Sequence, residues 1–345
     1  PMATLDVLLP TPLQGSGGHR TIVVNAEYLA AEGHRVRLHV QKQRRQRDPV
    51  GKTRQWFPVN RCEVLAGWPD RLPDSDAVMA TAWFTAAPVA GLSTPGRRLY
   101  FVQDYEPLFH PAGDLSLAAT ASYELGLETL VIGNWLRQKL WVDHLATTAV
   151  VPFGADLQTY HPTDIVRRRQ VAAIYQADKP RRCPQLVRAA LRMVLAQGVP
   201  VITFGSAKSP DLGTGHRHLG IVSPAELASL YQQSAAGLCI SASNPSRVPF
   251  EMMASGLPVV EAHLPNTLYD LPEGGALLAR PDAPSLARAL MSAVDAEQGS
   301  WTGHQYMQGH PHDLEGHAFA AFVLGEQEPT AGGSRPRYTQ PAVIG

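Results

Sequence analysis

The stretch TLDVLLPTPLQGSGGHRTIVVNAEYLAAEGHRVRLHV, residues 4–40, decides the fold class of this chain. It opens with an apolar run of the kind that forms a buried strand. A segment with apolar residues at helical spacing follows, and Gly33 marks the end of that helix. The last seven residues alternate like a second strand. Strand, helix and strand in this order predict a parallel, doubly wound sheet.

The same alternation continues along the chain and falls into two halves. The segments DAVMATA, RRLYFVQD and ETLVIGN each precede a plausible helix and extend the first half. The segment VVPFGADLQTYHP then interrupts the rhythm with Pro152, Gly154 and Pro162, and we interpret it as a linker. The segments QVAAIYQ, PVITFGS, HLGIV, GLCISAS, PVVEA and GALLARP predict the strands of a second half.

We therefore predict an α/β protein with two Rossmann-like, doubly wound domains that face a cleft between them, residues 1–152 and residues 153–300. A helix within residues 301–329 is expected to pack back on the first domain. The tail, residues 330–345, is rich in Gly and Pro and is expected to be loosely held. Because open α/β sheets bind ligands beyond the carboxyl ends of their strands, the loops after strands are the places to seek a site.

Composition narrows the classes of function and location. The 345 residues carry 30 Lys and Arg against 30 Asp and Glu, so no global field draws the chain to nucleic acid and no such partner is expected. Cys62, Cys183 and Cys239 show no pairing or metal-ligand spacing, which favours a reduced, cytoplasmic location. No apolar run reaches the length of a membrane span, and the opening PMATLDVLLP is interpreted as a strand and not as a signal peptide.

The run QKQRRQR, residues 41–47, is a local cationic stretch. One interpretation is a solvated loop. The other is contact with anionic lipid headgroups at the inner membrane face, where a lipid-linked substrate would lie. Without aromatic residues between the charges, binding to nucleic acid is not expected.

The first candidate ligand site is the loop TPLQGSGGHR between the first strand and the first helix. Gly15, Gly17 and Gly18 let the backbone approach a ligand closely, and the helix start offers N–H groups and a positive dipole end to a phosphate. The spacing differs from the dinucleotide fingerprint, so NAD is not expected. The alternative is a tight turn that needs glycine for its geometry alone.

The second candidate is the basic loop YQADKPRRCPQ, which follows the first strand of the second half. Lys179, Arg181 and Arg182 lie just before a helix, and cations beside free backbone donors suit a diphosphate. The alternative is a solvated basic loop. The sequence leaves open which of the cations points inward.

The third candidate is the single acid in the helix RVPFEMMASG. Pro249 is compatible only with the first turn of that helix, which places Glu251 near its start. A carboxylate at a buried edge requires hydrogen bonds, and a sugar hydroxyl is a natural partner. The alternative is an acid favoured there by the helix dipole.

The fourth candidate is the loop QDYEPLFH, which follows a strand of the first half. It supplies Asp104, Tyr105, Glu106 and His110 as candidates for contacts with an acceptor or a donor sugar, or for catalysis. A positioned acid in such a loop can orient an acceptor hydroxyl. The alternative is a polar loop rim with an acid that caps a helix.

Several of these stretches together resemble retaining glycosyltransferase family 4, whose members have the two-domain GT-B fold. PFEMMASGLPVVE resembles the second half of their E-x7-E region, VPFGADLQTYHP their interdomain segment and GSGGHR their first glycine loop. YFVQDYEPLFHPAG and ASYELGLETLVIGNWL resemble rhamnosyltransferases of bacterial surface polysaccharide synthesis, which make rhamnan, O-antigen or S-layer glycans. The matches span roughly residues 5–261.

The resemblance implies a nucleotide-sugar donor, a glycan or lipid-linked glycan acceptor, and no metal or other cofactor. Glu251 would contact a ribose or deoxyribose hydroxyl, and the basic loop would neutralise the diphosphate. Gly17 and Gly18 would approach the phosphate and the transferred sugar. The donor-binding candidates also include Ser243, Arg247, Val248 and Phe250.

The sequence departs from the family at two points. Ser243 stands where the family has its first glutamate, which usually contacts the transferred sugar, and this change is compatible with a 6-deoxy sugar or with a weakened activity. Gln176 and Ala177 replace the usual Gly-Arg, so phosphate contacts must come from further along the basic loop.

We expect transfer of L-rhamnose from dTDP-rhamnose with retention of configuration. In this class the leaving phosphate is thought to take the acceptor proton, so that catalysis rests on positioning and charge stabilisation. The alternatives are a UDP- or GDP-hexose donor, a nucleotide-sugar epimerase, a non-enzymatic bilobal binding protein and a non-catalytic partner protein.

Two motif-like stretches are interpreted as structural. DSD, residues 74–76, has the spacing of the D-x-D metal motif of another glycosyltransferase class, but it precedes a strand and is interpreted as a turn. His216 and His218 in GHRHLG are interpreted as strand and loop surface and not as a metal site.

Overall fold

The computed structural model describes residues 2–43, 47–297, 299–333 and 335–338. Arg44, Arg45 and Gln46 of the cationic run lie outside the described residues, as do Ser334 and residues 339–345 of the tail. The interpretations given above for these residues stay predictions.

The chain divides into two compact units. The first consists of Pro1–Pro152 with Asp313–Ser334, and the second of Phe153–His312 with Arg335–Gly345. The segment 301–329, predicted to hold a C-terminal helix, is therefore divided between the units. Residues 301–312 belong to the second unit, and residues 313–329 belong to the first.

Strands and helices alternate through both units. In chain order, the strands are β1 (Thr4–Leu9), β2 (Arg35–Val40), β3 (Glu63–Ala66), β4 (Ala77–Ala80), β5 (Arg97–Val102), β6 (Glu128–Ile132), β7 (Thr148–Val151), β8 (Arg168–Ile174), β9 (Val201–Phe204), β10 (His216–His218), β11 (Ser234–Leu238), β12 (Val259–Ala262) and β13 (Ala276–Ala279). The α-helices are α1 (Gly17–Ala31), α2 (Pro49–Trp56), α3 (Trp83–Gly91), α4 (Asp114–Ala121), α5 (Asn134–His144), α6 (Pro184–Ala196), α7 (Pro224–Gln233), α8 (Val248–Ala254), α9 (Pro265–Leu268), α10 (Ala283–Asp295), α11 (Gly303–Gln308) and α12 (His312–Val323).

Each unit is built on one parallel sheet. The first sheet has seven strands in the order β3-β2-β1-β4-β5-β6-β7, and the second has six in the order β10-β9-β8-β11-β12-β13. The strand order reverses between β1 and β4 and again between β8 and β11, which makes these the topological switch points where open α/β sheets bind ligands. The predicted α/β class with two doubly wound sheets is confirmed.

Two strands of the second unit lie elsewhere than predicted. The segment HLGIV was predicted as a strand, but β10 ends at His218, and GLCISAS was predicted as one although β11 already begins at Ser234 and ends at Leu238. Cys239 and Ile240 remain buried beyond that end. An apolar run therefore marks burial, and it does not mark where the ladder of backbone hydrogen bonds stops.

Helix α12 packs on α1 within the first unit. A Cβ atom at Gly316 would lie 2.4 Å from Cγ of Tyr28, so glycine permits the close approach of the two helices. The ring of His317 contacts the Tyr28 ring edge-on at 5.2 Å between centroids. Beside this contact, Asn25 Nδ2 donates a buried hydrogen bond of 2.8 Å to Glu315 Oε1.

Gly316→Ala is expected to lower the free energy of unfolding by about 1–3 kcal/mol, because the added methyl group forces the two helices or the Tyr28 ring to move. Gly91→Ala is the matched control, since a Cβ atom at Gly91 meets nothing within 4 Å. This control should leave stability unchanged or raise it by several tenths of a kcal/mol, up to about 1 kcal/mol. Chemical denaturation followed by circular dichroism measures both, and equal unfolding free energies for the two variants would contradict the packing argument.

Candidate functional site

The glycine loop of the first unit lies at the carboxyl end of β1, beside the switch point of its sheet. Ser16 caps α1 by accepting a hydrogen bond of 3.3 Å from His19 N, and the helix begins at Gly17. Gln103, just after β5, donates from Nε2 to Gly18 O at 3.2 Å. Gly17 and Gly18 are both exposed. The structure therefore places the two predicted glycines on an accessible helix start.

Three of the four candidate residues of the loop QDYEPLFH are buried. Asp104 Oδ1 accepts from Tyr105 N at 2.9 Å. Glu106 Oε2 accepts from the backbone N–H of Trp83, the first residue of α3, at 3.2 Å. His110 is partly exposed, and its ring contacts the Trp83 ring edge-on at 5.8 Å. Glu106 and His110 thus both meet Trp83, while the Asp104 carboxylate binds the loop backbone.

Tyr105 is held by a different set of side chains. Its hydroxyl lies 3.1 Å from His144 Nε2. Lys139 Nζ lies 4.8 Å from the centre of its ring. Burial, together with the charge and hydrogen bond of Asp143, raises the pKa of Tyr105 to about 12. Tyr105 is therefore a neutral phenol under ordinary conditions.

A run of partly exposed aromatic rings borders these residues and was missed in the sequence analysis. Trp68 stacks on Phe84 at 6.2 Å, and Phe84 meets Trp83 edge-on at 5.5 Å. Trp68 Nε1 donates to Leu9 O at 2.9 Å, which ties this run to the end of β1. The available signal was the appearance of tryptophan directly after the predicted strand DAVMATA, at the edge where ligands bind.

The basic loop of the second unit follows β8 at the other switch point. Arg182 is buried, and its Nη1 donates to Ser241 Oγ at 2.5 Å and to Asn244 O at 3.3 Å. Lys179 and Arg181 are half-buried. Burial and the charges of the two arginines lower the pKa of Lys179 to about 8. The three cations are thus close enough to repel one another, and Arg182 is the one that points inward.

The loop after β11 is tied down by Asn266. Its Nδ2 donates to Ser241 O at 2.7 Å and also to Ser243 O. Ser243 is fully buried. The position at which the family has its first glutamate therefore lies inside the second unit, beside the residues that hold Arg182.

Helix α8 follows this loop and carries the remaining donor-binding candidates. Arg247 precedes its first residue, and the Arg247 Nη1 atom donates to Gly154 O at 3.1 Å. Val248 is partly exposed, whereas Phe250 is fully buried and stacks on Phe153 at 4.4 Å. Glu251 lies in the first turn and is partly exposed.

Glu261, which the sequence analysis did not single out, is a fully buried carboxyl group on β12. Its Oε1 accepts from Ser241 N at 2.8 Å and from Ala262 N at 2.9 Å. Burial raises the pKa of Glu261 to about 7, against the opposing effects of these two N–H groups, of Arg182 and of the Ser241 side chain. The signal in the sequence was an acid near the end of the apolar strand PVVEA.

The stretches interpreted as structural make internal contacts. Asp74 accepts from Arg37 Nη1 at 2.9 Å, and Asp76 accepts from Thr4 N at 2.7 Å. The rings of His216 and His218 both bond Thr203 Oγ1, at 2.7 and 2.8 Å. Across the described residues, no group of three or more His, Cys, Asp or Glu side chains is arranged to hold a metal ion. In the same part of the chain, no helix is both long and apolar enough to cross a bilayer.

Both the sequence and the fold of this chain are similar to those of known proteins. Residues 169–291 match the family model described as WsaF, C-terminal domain. Over 234 residues, or 65% of this chain, the sequence is 32% identical to the O-antigen biosynthesis protein RfbC of Myxococcus xanthus. The chain spans 18% of the length of that relative.

Two solved structures share the architecture. Sucrose-phosphate synthase from Thermosynechococcus elongatus superposes with a TM-score of 0.69 at 13% identity, covering 94% of this chain and 98% of that one. HepE of Anabaena, in complex with UDP-glucose, gives a TM-score of 0.70 at 14% identity, covering 93% of this chain and 99% of that one. At these identities the likeness concerns the fold. The chain therefore has the GT-B fold, and within it residues 169–291 resemble the C-terminal domain of WsaF.

Proposed function

We propose that the protein is a glycosyltransferase of bacterial surface polysaccharide synthesis whose second unit holds a nucleotide-sugar donor. One observation carries this proposal: Lys179, Arg181 and Arg182 follow β8 at the switch point of the second sheet, where burial and the charges of the two arginines lower the pKa of Lys179. Binding of a diphosphate would neutralise these charges. The similarity to RfbC and to the WsaF C-terminal domain supports a role in glycan synthesis.

The finer assignment is transfer of L-rhamnose from dTDP-rhamnose with retention of configuration. It is supported by the rhamnosyltransferase-like segments of the first unit. It is also supported by Ser243, which provides a small, buried residue where the family has a glutamate. The donor is a substrate in this proposal, and we expect no metal or other cofactor.

Within the second unit, donor binding divides between the basic loop and helix α8. Arg182 contacts the diphosphate from a fixed position, and Lys179 and Arg181 add charge from the rim of the loop. Glu251, in the first turn of α8, accepts hydrogen bonds from a sugar hydroxyl of the nucleoside. Gly17 and Gly18 of the first unit stay predicted contacts of a phosphate and a sugar. Arg247 and Val248 lie beside Glu251 at the start of α8. Phe250 is buried and anchors this end of the helix in the core.

The acceptor, a glycan or a lipid-linked glycan, is assigned to the first unit. Glu106 and His110 meet at Trp83, and a carboxylate or imidazole there can orient an acceptor hydroxyl. Asp104 and Tyr105 shape the same loop from within. Departure of the diphosphate is assisted by the cations that bind it, so the reaction requires positioning and charge stabilisation but no protein nucleophile.

Glu251→Gln is expected to weaken binding of the preferred nucleotide sugar about 10- to 100-fold, because a charged hydrogen-bond acceptor is lost. Isothermal titration with dTDP-rhamnose, UDP-glucose and a GDP-hexose measures this loss and identifies the donor. Glu226→Gln is the matched control. Glu226 is also a first-turn acid of the second unit, and it forms a capping box with Ser223 at the start of α7.

If both variants keep wild-type affinity, Glu251 does not bind the donor, and its place near the helix start is explained by the helix dipole alone. If no nucleotide sugar binds to the wild type, the proposed function is wrong. NMR of the donor incubated with enzyme and no acceptor separates the remaining enzyme classes, because an epimerase converts the donor alone. Transfer to a glycan acceptor by the isolated chain rules out a non-catalytic partner.

A further inference from the structure

Glu261 is a buried carboxyl group that the proposed donor site does not use directly. Its Oε1 is fully engaged by the backbone N–H groups of Ser241 and Ala262. Its Oε2 is buried and has no hydrogen-bond partner among the described residues. An ionised carboxylate with one unpartnered oxygen is costly in such a place, whereas the protonated form is not.

A single residue joins this carboxyl group to the diphosphate-binding loop. Ser241 donates its backbone N–H to Glu261, and its hydroxyl accepts from Arg182 Nη1 at 2.5 Å. Asn266 holds the same residue through its carbonyl oxygen. Arg182 is therefore the cation that stabilises ionised Glu261, and it is also the cation proposed to contact the diphosphate.

The other groups around Glu261 do not compete for this role. Burial and the charge of Glu261 raise the pKa of Cys239 to about 12, and the same two causes raise the pKa of Cys183, so both thiols are neutral near pH 7. The flanking strands β11 and β13 have the sequences SAAGL and ALLA, which contain no charged side chain. Helix α8 carries Glu251, and α10 carries Arg288 and Asp295, but none of these three is among the buried residues of its helix.

We propose that Glu261 takes up a proton when a nucleotide sugar binds beside Arg182, so that the net charge of the diphosphate site changes between its empty and occupied states. This inference rests on the proposed donor site. The two phosphates of the ligand attract the guanidinium charge that stabilised the carboxylate, and they add negative charge nearby. Both effects favour the neutral carboxylic acid. The protonated oxygen also gains a hydrogen that it can donate.

The direction of the pH dependence follows from this coupling. The pKa of Glu261 is about 7 in the protein alone and rises in the proposed complex. Below that value both states carry the proton and affinity does not depend on it. Above it, binding must bring in a proton, so affinity falls by up to about tenfold per pH unit until the pKa of the complex is reached.

Glu261→Gln tests the inference, because glutamine keeps the acceptor oxygen for Ser241 and Ala262 and is neutral at every pH. With dTDP-rhamnose and UDP-glucose as probes, the variant and the wild type should bind equally at pH 6, and the variant about tenfold more tightly at pH 8. The diphosphate of a nucleotide sugar does not itself titrate in this range. Glu226→Gln, which changes an exposed acid of the same unit, should keep the wild-type pH profile.

Titration calorimetry in buffers of different ionisation enthalpy counts the protons directly. Near pH 7.5 the wild type should take up more protons per bound nucleotide sugar than Glu261→Gln, while any contribution of Lys179 is common to both. Identical proton uptake and identical pH profiles overturn the inference and leave the proposed function standing. Absence of nucleotide-sugar binding in the wild type overturns both.

A second measurement covers the case in which the variant does not fold. Carbon-13 NMR of the wild-type side-chain carboxyl groups follows the titration of Glu261 with and without a nucleotide sugar. We expect its midpoint to move to higher pH on binding. An unmoved midpoint rejects proton uptake by this residue.

Discussion

Arg182→Met is expected to weaken nucleotide-sugar binding by about 2–5 kcal/mol, which corresponds to about 30-fold to several thousandfold in affinity. The guanidinium is buried and hydrogen-bonded to Ser241 and Asn244, so its position is fixed before any ligand binds. A preorganised cation contributes more than a flexible surface cation, because little side-chain freedom is lost on binding. Titration calorimetry at pH 6 measures the loss while Glu261 is protonated in both proteins.

The control is Arg192→Met, which removes an exposed cation from α6 in the same unit and should leave affinity within about twofold. The double variant Arg182→Met/Glu261→Gln also removes the carboxyl group of Glu261, which would otherwise lack its stabilising cation. It should fold at least as well as Arg182→Met without regaining affinity. Recovery of affinity in the double variant would show that Arg182 supports the fold and does not bind the diphosphate.

Asp6→Ala is expected to lower the free energy of unfolding of the first unit by about 3–5 kcal/mol, because it leaves Arg37 as a buried charge without its main partner. Asp6 is fully buried in β1. It accepts from Arg37 Nε at 2.7 Å, from Arg37 Nη2 at 2.6 Å and from His39 Nε2 at 2.6 Å. Denaturant unfolding measures the loss. Asp70→Ala, at an exposed acid of the same unit, should change stability by less than about 0.5 kcal/mol.

The same network has a pH signature. Burial alone would raise the pKa of Asp6, but the hydrogen bonds from His39, Arg37 and Ser75 outweigh it and hold the pKa below 3.8. The stabilisation is therefore complete above the unfolded-state pKa and is lost as pH falls through the lower folded-state pKa. Wild-type stability should fall more steeply than that of Asp6→Ala below about pH 4. Parallel curves would show that folding leaves the pKa of Asp6 at its unfolded-state value.

Local rules along the chain predicted much of the second unit. Ser223 and Glu226 form a capping box at the start of α7, and Pro224 lies in the first turn of that helix, as local sequence rules require. Pro249 lies in the first turn of α8 for the same kind of reason. The glycine loop and the basic loop follow the strands that they were predicted to follow. These features depend on neighbours a few residues away, which the sequence displays directly.

The remaining features depend on residues that are distant in sequence. Arg182 points inward because Ser241 and Asn244 accept its hydrogen bonds, and nothing in PRRCP distinguishes it from Arg181. In the sequence, Phe250 was grouped with Glu251 as a donor-binding candidate. In the structure its ring stacks on that of Phe153 and is buried in the core. The carboxyl end of β11 was missed because burial continues beyond the ladder of backbone hydrogen bonds.

The sequence by itself determined the two doubly wound sheets and the loops at their switch points, since strand, helix and turn signals act over short distances. Only the tertiary structure decided which charges are buried together. The register of β1 on β2 sets Asp6 opposite Arg37. The fold of the second unit joins Glu261 to Arg182 through Ser241. Burial raises the pKa of Glu261, and buried hydrogen bonds lower the pKa of Asp6. Both effects come from contacts between distant segments that no single stretch of sequence contains.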